Sequence, residues 1–528
     1  MSSEKESSSL ESLIAERVGK ANLLREHDRN PYPHRFEPTH TTSQVHSAYS
    51  SIDIGSSIDD RVRVAGRVSR VAHFGKLMFF DLEDQGGKVQ VSIAKNDVGS
   101  DEYELIKKTM DVGDVVGVEG SPYKTRKGEL TVGSSGWSML AKSTRPLPSK
   151  IFVAECGEAR GGLRDEEVLY RQPELRMIVD SDAREVFARR SRVISSMRSV
   201  LEEAGYIEIE IPTLQPVYGG ASARPFVTSV NALDSLEVYL SISPEIYLKR
   251  LMVGGFFDGV FFIGKSFRNE GIDKSHHPEF TSMECYKAFW DYNDLMNFTE
   301  RMVERIFRDV NGSASVVYEH LDSLLGRQEL DFSAPWRRVR MSDMIKDEIG
   351  VDVEQMDESE LRTAVQQVYA VTGEPYLSID NSYGVSWGNM VLGLFESYVE
   401  KTIVQPTFVI DHPRESSPLC KLHRGDERFI ERFEVFVYGM ELANAYTELN
   451  DPVLQRRLLE DQERSSAAGD LEAQRMDEAF CQAIEYGMPP TAGLGIGVDR
   501  LVMLVTGRTR IKDVIPFPLV RPMKSKNL

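Results

Sequence analysis

The chain has 528 residues, 41% hydrophobic and 27% charged, with a formal net charge of −19. That length suits about three domains of ordinary size, and the composition is that of a soluble protein with ample core. The acidic balance excludes a general nucleic-acid coat, and no apolar run reaches membrane-spanning length, so no membrane partner is expected.

Residues 1–60 open with a Ser- and Glu-rich tail, MSSEKESSSLESL, wrong for a secretory signal and too acidic for a transit peptide. A short helix is expected over 10–27, followed by coil in RNPYPHRFEPTH, where three prolines stop regular structure. His27, His34, His40 and His46 fit no ligand spacing and read as surface residues. Cys156, Cys285, Cys420 and Cys481 lie far apart, as expected of unpaired thiols in a reducing cytoplasm.

Residues 61–145 change character. Five short alternating segments, from RVRVAGRVSRVA to ELTVGSSGWSML, read as strands, with a helical patch over 101–110 after the third. That is the order of an OB-fold barrel, and the segment is locally richer in Lys and Arg than in Asp and Glu. Phe79, Gln90 and Glu129 could stack on and hydrogen-bond unpaired bases. A barrel serving dimer contacts, with Phe79 in its core, is the other reading.

Residues 146–185 read as an aperiodic linker. An amphipathic helix is expected from Val186 to the stop at Gly205, then a strand closed by Pro212. GGASARPF (219–226) is a loop before a strand pair, and a helix begins near Pro244 in LSISPEIYLKRLMVGG. Residues 260–290 form two strands joined by a charged loop from Asn269 to Pro278. Alternation puts Arg268 and Glu270 on one face, and Phe280, Ser282, Glu284 and Tyr286 on one face of the returning strand. That set suits a charged, flat ligand, or an edge hairpin with a surface ion pair.

Another amphipathic helix follows, DYNDLMNFTERMVERIFRDV, whereas residues 312–400 offer no nameable chemistry. A hairpin is expected around Tyr438-Gly439-Met440, with Asn444, Tyr446 and Glu448 alternating on its second arm and Glu434 and Glu441 on the two arms. Residues 454–487 read as charged helix. In TAGLGIGVDR, Gly493, Gly495 and Gly497 alternate on a strand and clear one face, and Arg500 opens the next helix. No βαβ unit surrounds these glycines, so a dinucleotide fold is rejected.

FRNEG…HHPEF, GLGIGVDR and the helix–strand–Pro212 element resemble the three signature motifs of class II aminoacyl-tRNA synthetases. GGASARPF, SPEIYLKRLMVGG, NAYTELND and DVIPFP resemble the lysyl-tRNA synthetases, the subclass with an N-terminal barrel, over about residues 10–525. The resemblance implies an α+β fold: an antiparallel six-stranded catalytic domain over 186–525, preceded by an all-β OB-fold barrel over 61–145. It also implies ATP and Mg²⁺, L-lysine and tRNA(Lys) as partners, a homodimer, and a cytoplasmic location. A barrel-less lysylase acting on a protein, or an inactive paralogue, is the rival.

On the same resemblance, the Gly219-Gly220 loop and Glu245 hold lysine's α-amine, and Glu448 and Tyr286 its ε-amine. Glu284, Asn444 and Tyr446 complete that shell. Arg268 and Arg500 are catalytic. Glu270, His276, His277, Phe280, Gly495 and Gly497 join them around ATP, and Glu434 and Glu441 hold the metal. Arg70, Phe79, Gln90 and Glu129 read the anticodon. The chemistry is self-consistent, because three crowded carboxylates are relieved by a ligand with two ammonium groups and repel aspartate. Departures are His277 for the family's Asn, Ser241-Ile242-Ser243 before Pro244, an insertion over 154–162, and Val71-Ala72 where a basic pair is common.

Overall fold

The computed structural model describes residues 2–147, 152–153, 159–160, 166–320, 325–372, 386–467 and 475–522. It comprises two compact units, Met1–Arg184 and Glu185–Leu528.

The first unit is built on a closed five-stranded barrel: β1 (Val62–Phe74), β2 (Leu77–Asp84), β3 (Gly87–Ala94), β4 (Val115–Lys124) and β5 (Leu130–Ala141), in the order β1-β2-β3-β5-β4. Strict alternation in β1 sends Val62, Val64 and Val68 inward, where they meet Phe80, Val91 and Val118 in one apolar cluster. Helix Ser100–Thr109 lies between β3 and β4, as expected of an OB fold. The N-terminal helix runs over Ser2–Glu26. A further helix, Thr42–Tyr49, was not anticipated, although Thr41 and Gln44 form the capping box that starts it.

The expected aperiodic linker is corrected too. It contains helices Glu166–Arg171 and Pro173–Val179, and the long helix begins at Ser181 and runs to Glu203. Most of the 154–162 insertion, including Cys156, lies outside the described residues.

The second unit holds an eight-stranded mixed sheet rather than an antiparallel six-stranded one. Its strands are β6 (Ile207–Glu208), β7 (Val260–Phe267), β8 (Glu279–Ala288), β9 (Arg337–Arg340), β10 (Thr407–Pro413), β11 (Phe429–Val437), β12 (Met440–Thr447) and β13 (Thr491–Gly497). Their order is β9-β10-β11-β12-β13-β8-β7-β6. The six inner strands pair antiparallel, and the short edges β6 and β9 pair parallel to β7 and β10. Of the strand expected before Pro212 only Ile207–Glu208 is paired, and β9 lies in the stretch that offered no pattern.

The sheet has two unlike faces. Phe433 and Val435, Ala443 and Ala445, Met283 and Cys285, and Leu494 and Ile496 pack on one side, against helices Ser181–Glu203, Tyr292–Asn311 and Val498–Thr506. The intervening residues of the same strands point the other way: Arg432 and Glu434, Asn444 and Tyr446, Glu284 and Tyr286, Gly493 and Gly495. Alternation therefore builds the core and the site from the same four strands.

Candidate active site

The polar face of the sheet forms a cavity of about 440 Å³. The expected β7–β8 hairpin pairs Gly264 opposite Ser282 and Phe262 opposite Glu284, and its loop returns through an Arg268 N–H bond to Pro278 O of 2.9 Å. The predicted residues Gly220, Glu245, Arg268, Glu270, His276, His277, Phe280, Glu284, Tyr286, Glu434, Glu441, Asn444, Tyr446, Gly495, Gly497 and Arg500 all line the cavity. Gly219 and Glu448 do not.

One end is acidic. Glu284 accepts from Ser243 Oγ at 3.0 Å and from Tyr286 Oη at 3.0 Å. Burial and the nearby Glu245 push its carboxyl up to about 7. Glu245, in the first turn of helix Glu245–Val253, accepts from Tyr446 Oη at 2.5 Å. Glu448 is fully buried just beyond β12, and among the described residues its Oε1 has no hydrogen-bond partner. Burial, reinforced by Glu245, pushes its carboxyl well up.

A residue the sequence reading passed over alters the charge balance here. Lys249, wholly buried, donates to Glu245 Oε1 at 2.6 Å and forms an ion pair with Glu448. The expectation of three uncompensated carboxylates is corrected accordingly. The available signal was the Glu245–Lys249 spacing of four, which stacks the two on one helical face.

The glycines divide by role. Gly220 has φ +85°, and a Cβ there would lie 2.9 Å from that of Glu245. At Gly493 a Cβ would fall 2.2 Å from Glu448 Oε1 and 2.4 Å from Tyr286 Cε1, so this glycine admits the protein's own side chains rather than a ligand. Gly495 and Gly497 have nothing nearer than 3.6 and 3.5 Å and leave the cavity open, as expected.

The other end is built of arginine–glutamate pairs. Arg268 lies 5.1 Å from the ring centre of Phe280. Arg500 donates to the Glu441 carbonyl at 2.6 Å, to its carboxylate at 3.1 Å, and to His276 Nε2 at 3.1 Å. Against the upward push of burial, Arg500 and Arg432 hold the Glu441 carboxyl below its ordinary range. Arg432, also missed in the sequence, donates to Glu434 at 2.5 Å and to Asn444 at 3.0 Å. Burial still pushes Glu434 up to about 7. Glu400 is likewise pushed to about 7, by burial and by Glu396 and Glu441. Both extra glutamates come from the supposedly uninformative 312–400 stretch, at and after a π-helical turn over Phe395–Val399.

Two predicted nucleotide contacts need qualification. His277 donates from Nδ1 to Glu279 O at 2.5 Å, and its Nε2 accepts from Leu519 N at 2.9 Å. Both ring nitrogens are thus engaged by backbone, which makes it an anchor for the loop. Glu270 lines the cavity mouth but is exposed.

On the barrel, register puts Arg70 opposite Asp81, Asp81 opposite Gln90, and Gln90 opposite Thr131. Arg70 pairs with Asp81 at 3.3 Å, and Thr131 donates to Gln90 at 3.0 Å. Phe79 lies two residues before Asp81 and is half-buried beside Phe74, outside the core that Phe80 fills. Glu129 is exposed, two residues before Thr131.

Residues 165–521 match the family described as tRNA synthetases class II (D, K and N), and residues 62–140 match the OB-fold nucleic acid binding domain. The lysine–tRNA ligase of Fervidobacterium nodosum is 44% identical over 507 residues, 96% of this chain and 93% of that protein. That of Methanoculleus marisnigri is 44% identical over 505 residues, covering 96% and 94%. The chain belongs to the class II tRNA synthetases, within the lysine–tRNA ligase family. That of Carboxydothermus hydrogenoformans is 42% identical over 97% of this chain and 99% of its own. Membership makes the chain an aminoacyl-tRNA synthetase. Within this synthetase, the motif residues meet on the face of the sheet that carries helix Glu245–Val253 and the cavity.

Proposed function

We propose that this synthetase activates L-lysine with ATP, giving lysyl-adenylate and pyrophosphate, and transfers the lysyl group to the 3′ end of tRNA(Lys). The observation that carries the reading is the acidic end of the cavity. Glu245 and Glu448 share one internal ammonium there, Glu284 adds a third buried carboxylate, and a buried Glu448 oxygen lacks a partner among the described residues. A cationic side chain relieves that excess, aspartate would worsen it, and asparagine would leave it unrelieved.

In this reading Gly220 and Glu245 receive the α-amine, with Gly219 shaping the loop behind them. Tyr286 and Glu448 face the ε-amine across Gly493, and Glu284, Asn444 and Tyr446 complete the shell. The lysine carboxylate attacks the α-phosphate in line, so no protein nucleophile is required. Arg268, held against Phe280, neutralises charge at the carboxylate and α-phosphate. Arg500, steadied by Glu441, holds the far phosphate end, with His276 beside it. Phe280 offers its ring to adenine, over the floor that Gly495 and Gly497 leave clear. Glu270 closes the mouth.

Glu434 and Glu441 suit Mg²⁺, which takes one or two carboxylates together with substrate phosphates. Among the described residues no three His, Cys, Asp or Glu side chains form a metal cage by themselves, so the nucleotide would supply the remaining ligands. When bound, the ion neutralises charge on the phosphates. The Arg70–Phe79–Gln90–Glu129 face of the barrel suits anticodon bases.

A homodimer is supported by the exposed apolar residues Leu214, Val227 and Leu236 on the small sheet of strands Leu214–Gln215, Val227–Val230 and Leu236–Leu240. The free thiols Cys285, Cys420 and Cys481 fit a cytoplasmic location. No described helix is long and apolar enough to cross a membrane.

The test is ATP–pyrophosphate exchange with lysine, aspartate, asparagine and no amino acid. Exchange with lysine alone is expected. Exchange with aspartate would overturn the substrate, and ATP binding without exchange would favour an inactive paralogue.

A further inference from the structure

Helix Glu245–Val253 carries Lys249 one turn beyond Glu245, with its side chain entirely withdrawn from solvent. Its Nζ reaches Glu245 Oε1 at 2.6 Å and also meets Glu448, which arrives from the end of β12. The rings of Tyr446 and Phe480 lie 5.3 and 6.0 Å from the ammonium. Tyr446 Oη shares the same Glu245 oxygen at 2.5 Å. Neither Lys249 nor Glu448 is part of the cavity wall. The cation therefore touches two proposed lysine-binding carboxylates from behind.

A buried ammonium is costly unless paired, and two buried carboxylates brought together without it do not both ionise near neutral pH. Against the downward push of burial, Glu245 and Glu448 hold the Lys249 ammonium above its ordinary range. The pair of carboxylates thus carries a fixed counter-ion before any ligand arrives.

We infer that Lys249 is a positioning residue for substrate selection: it ties Glu245 to Glu448 at a set spacing and reduces their joint charge by one. The inference rests on reading this pocket as the lysine site. Lys249 acts through the two glutamates, fixing their orientation and opposing the uptake at Glu448 of a proton that an incoming ammonium would have to displace.

The test uses the full-length protein. Lysine-dependent pyrophosphate exchange is followed for the parent, Lys249→Met and Lys249→Arg from about pH 6.5 to 8.5, where lysine's ε-amine stays protonated and any titration of its α-amine is common to all three proteins. In Lys249→Met the lysine KM should rise about tenfold or more at the acid end and fall as pH rises, as a carboxyl loses the proton it has taken up. The ATP KM should stay within about twofold, because uniform damage would move both substrates. Lys249→Arg keeps the charge and should restore the parent's shallower pH profile.

A lysine KM raised equally at every pH, or moving together with the ATP KM, would mean a packing role and overturn the inference. So would a lysine KM equal to the parent's. If Lys249→Met does not fold, the Lys249→Met/Glu448→Gln double variant should recover solubility, because the joint charge at Glu245 and position 448 returns to the parent's single negative unit. A double variant as insoluble as the single one overturns the proposal. Should the parent itself exchange with another amino acid, the lysine reading falls and this inference with it. A parent specific for lysine beside a pH-flat Lys249→Met sinks the inference alone.

Discussion

The guanidinium of Arg268 stands over Phe280, 5.1 Å from its ring centre, just beyond the end of β7 and across from β8. A planar cation on an aromatic face is oriented before any substrate binds, which a lysine ammonium would not reproduce. Arg268→Lys should therefore lower the exchange rate by about 10²–10³, the range for loss of one preorganised transition-state contact. Steady-state exchange with saturating lysine checks this, and a loss under tenfold would remove Arg268 from the reacting centre.

Glu434 sits at about 7, because burial outweighs Arg432, whereas Glu441 is held low. A carboxyl raised above its unfolded value contributes stability fully below that value and loses it as pH climbs through about 7. Glu434→Gln should accordingly raise Tm at about pH 8 more than at about pH 6, while abolishing exchange. The parent's apparent Mg²⁺ affinity should improve over the same span, since the ionised form is the ligand. Thermal melts and Mg²⁺ titrations at the two pH values check both signs.

Gly493 and Gly495 are two residues apart on β13 but should respond differently to a methyl group. Gly493→Ala places a Cβ against Glu448 and Tyr286 and should cost about 1–3 kcal/mol of stability together with lysine affinity. Gly495→Ala meets only an ordinary 3.6 Å contact and should leave Tm near the parent's. Differential scanning of both variants decides it, and equal losses would refute the division of roles.

Phe79 lies outside the barrel core, so Phe79→Ala should spare folding. Loss of one base-stacking platform, worth about 1–3 kcal/mol, should raise the KM for tRNA(Lys) about 5- to 150-fold. Exchange needs no tRNA and should run at the parent rate. Aminoacylation and exchange measured side by side separate the two.

The alternating strands made much of this legible in the sequence. Period-two patterning located the five barrel strands, and β8, β11 and β12 carry polar residues, and β13 its glycines, on the cavity face as the alternation implied, whereas Arg268 and Glu270 lie in the loop beyond β7. What escaped had no period to read. The edge β9 is four residues long in the patternless 312–400 stretch, whereas β6 belongs to the strand expected before Pro212; the six-stranded expectation came from the resemblance, and eight strands pair. Glu396 and Glu400 come from π and 3₁₀ turns, whose spacing matches neither helix nor strand. Lys249 lies on an expected helix, but a Glu–Lys spacing of four is as common on exposed helix faces and does not mark a buried ion pair. His277 lines the cavity as expected, but that backbone groups hold both its ring nitrogens had no mark in the sequence.

Because β8, β11, β12 and β13 each offer one parity to the helices and the other to the cavity, inserting or deleting a single residue would exchange the two sets. In β8 such a slip would drive Glu284 and Tyr286 under the helices and bring Met283 and Cys285 out among the carboxylates. Length changes there would be lost as failures to fold before substrate choice was ever tested. New specificities can arise on this sheet by exchanging one side chain for another in place, or from the loops at the strand ends, where counting residues leaves the parity intact.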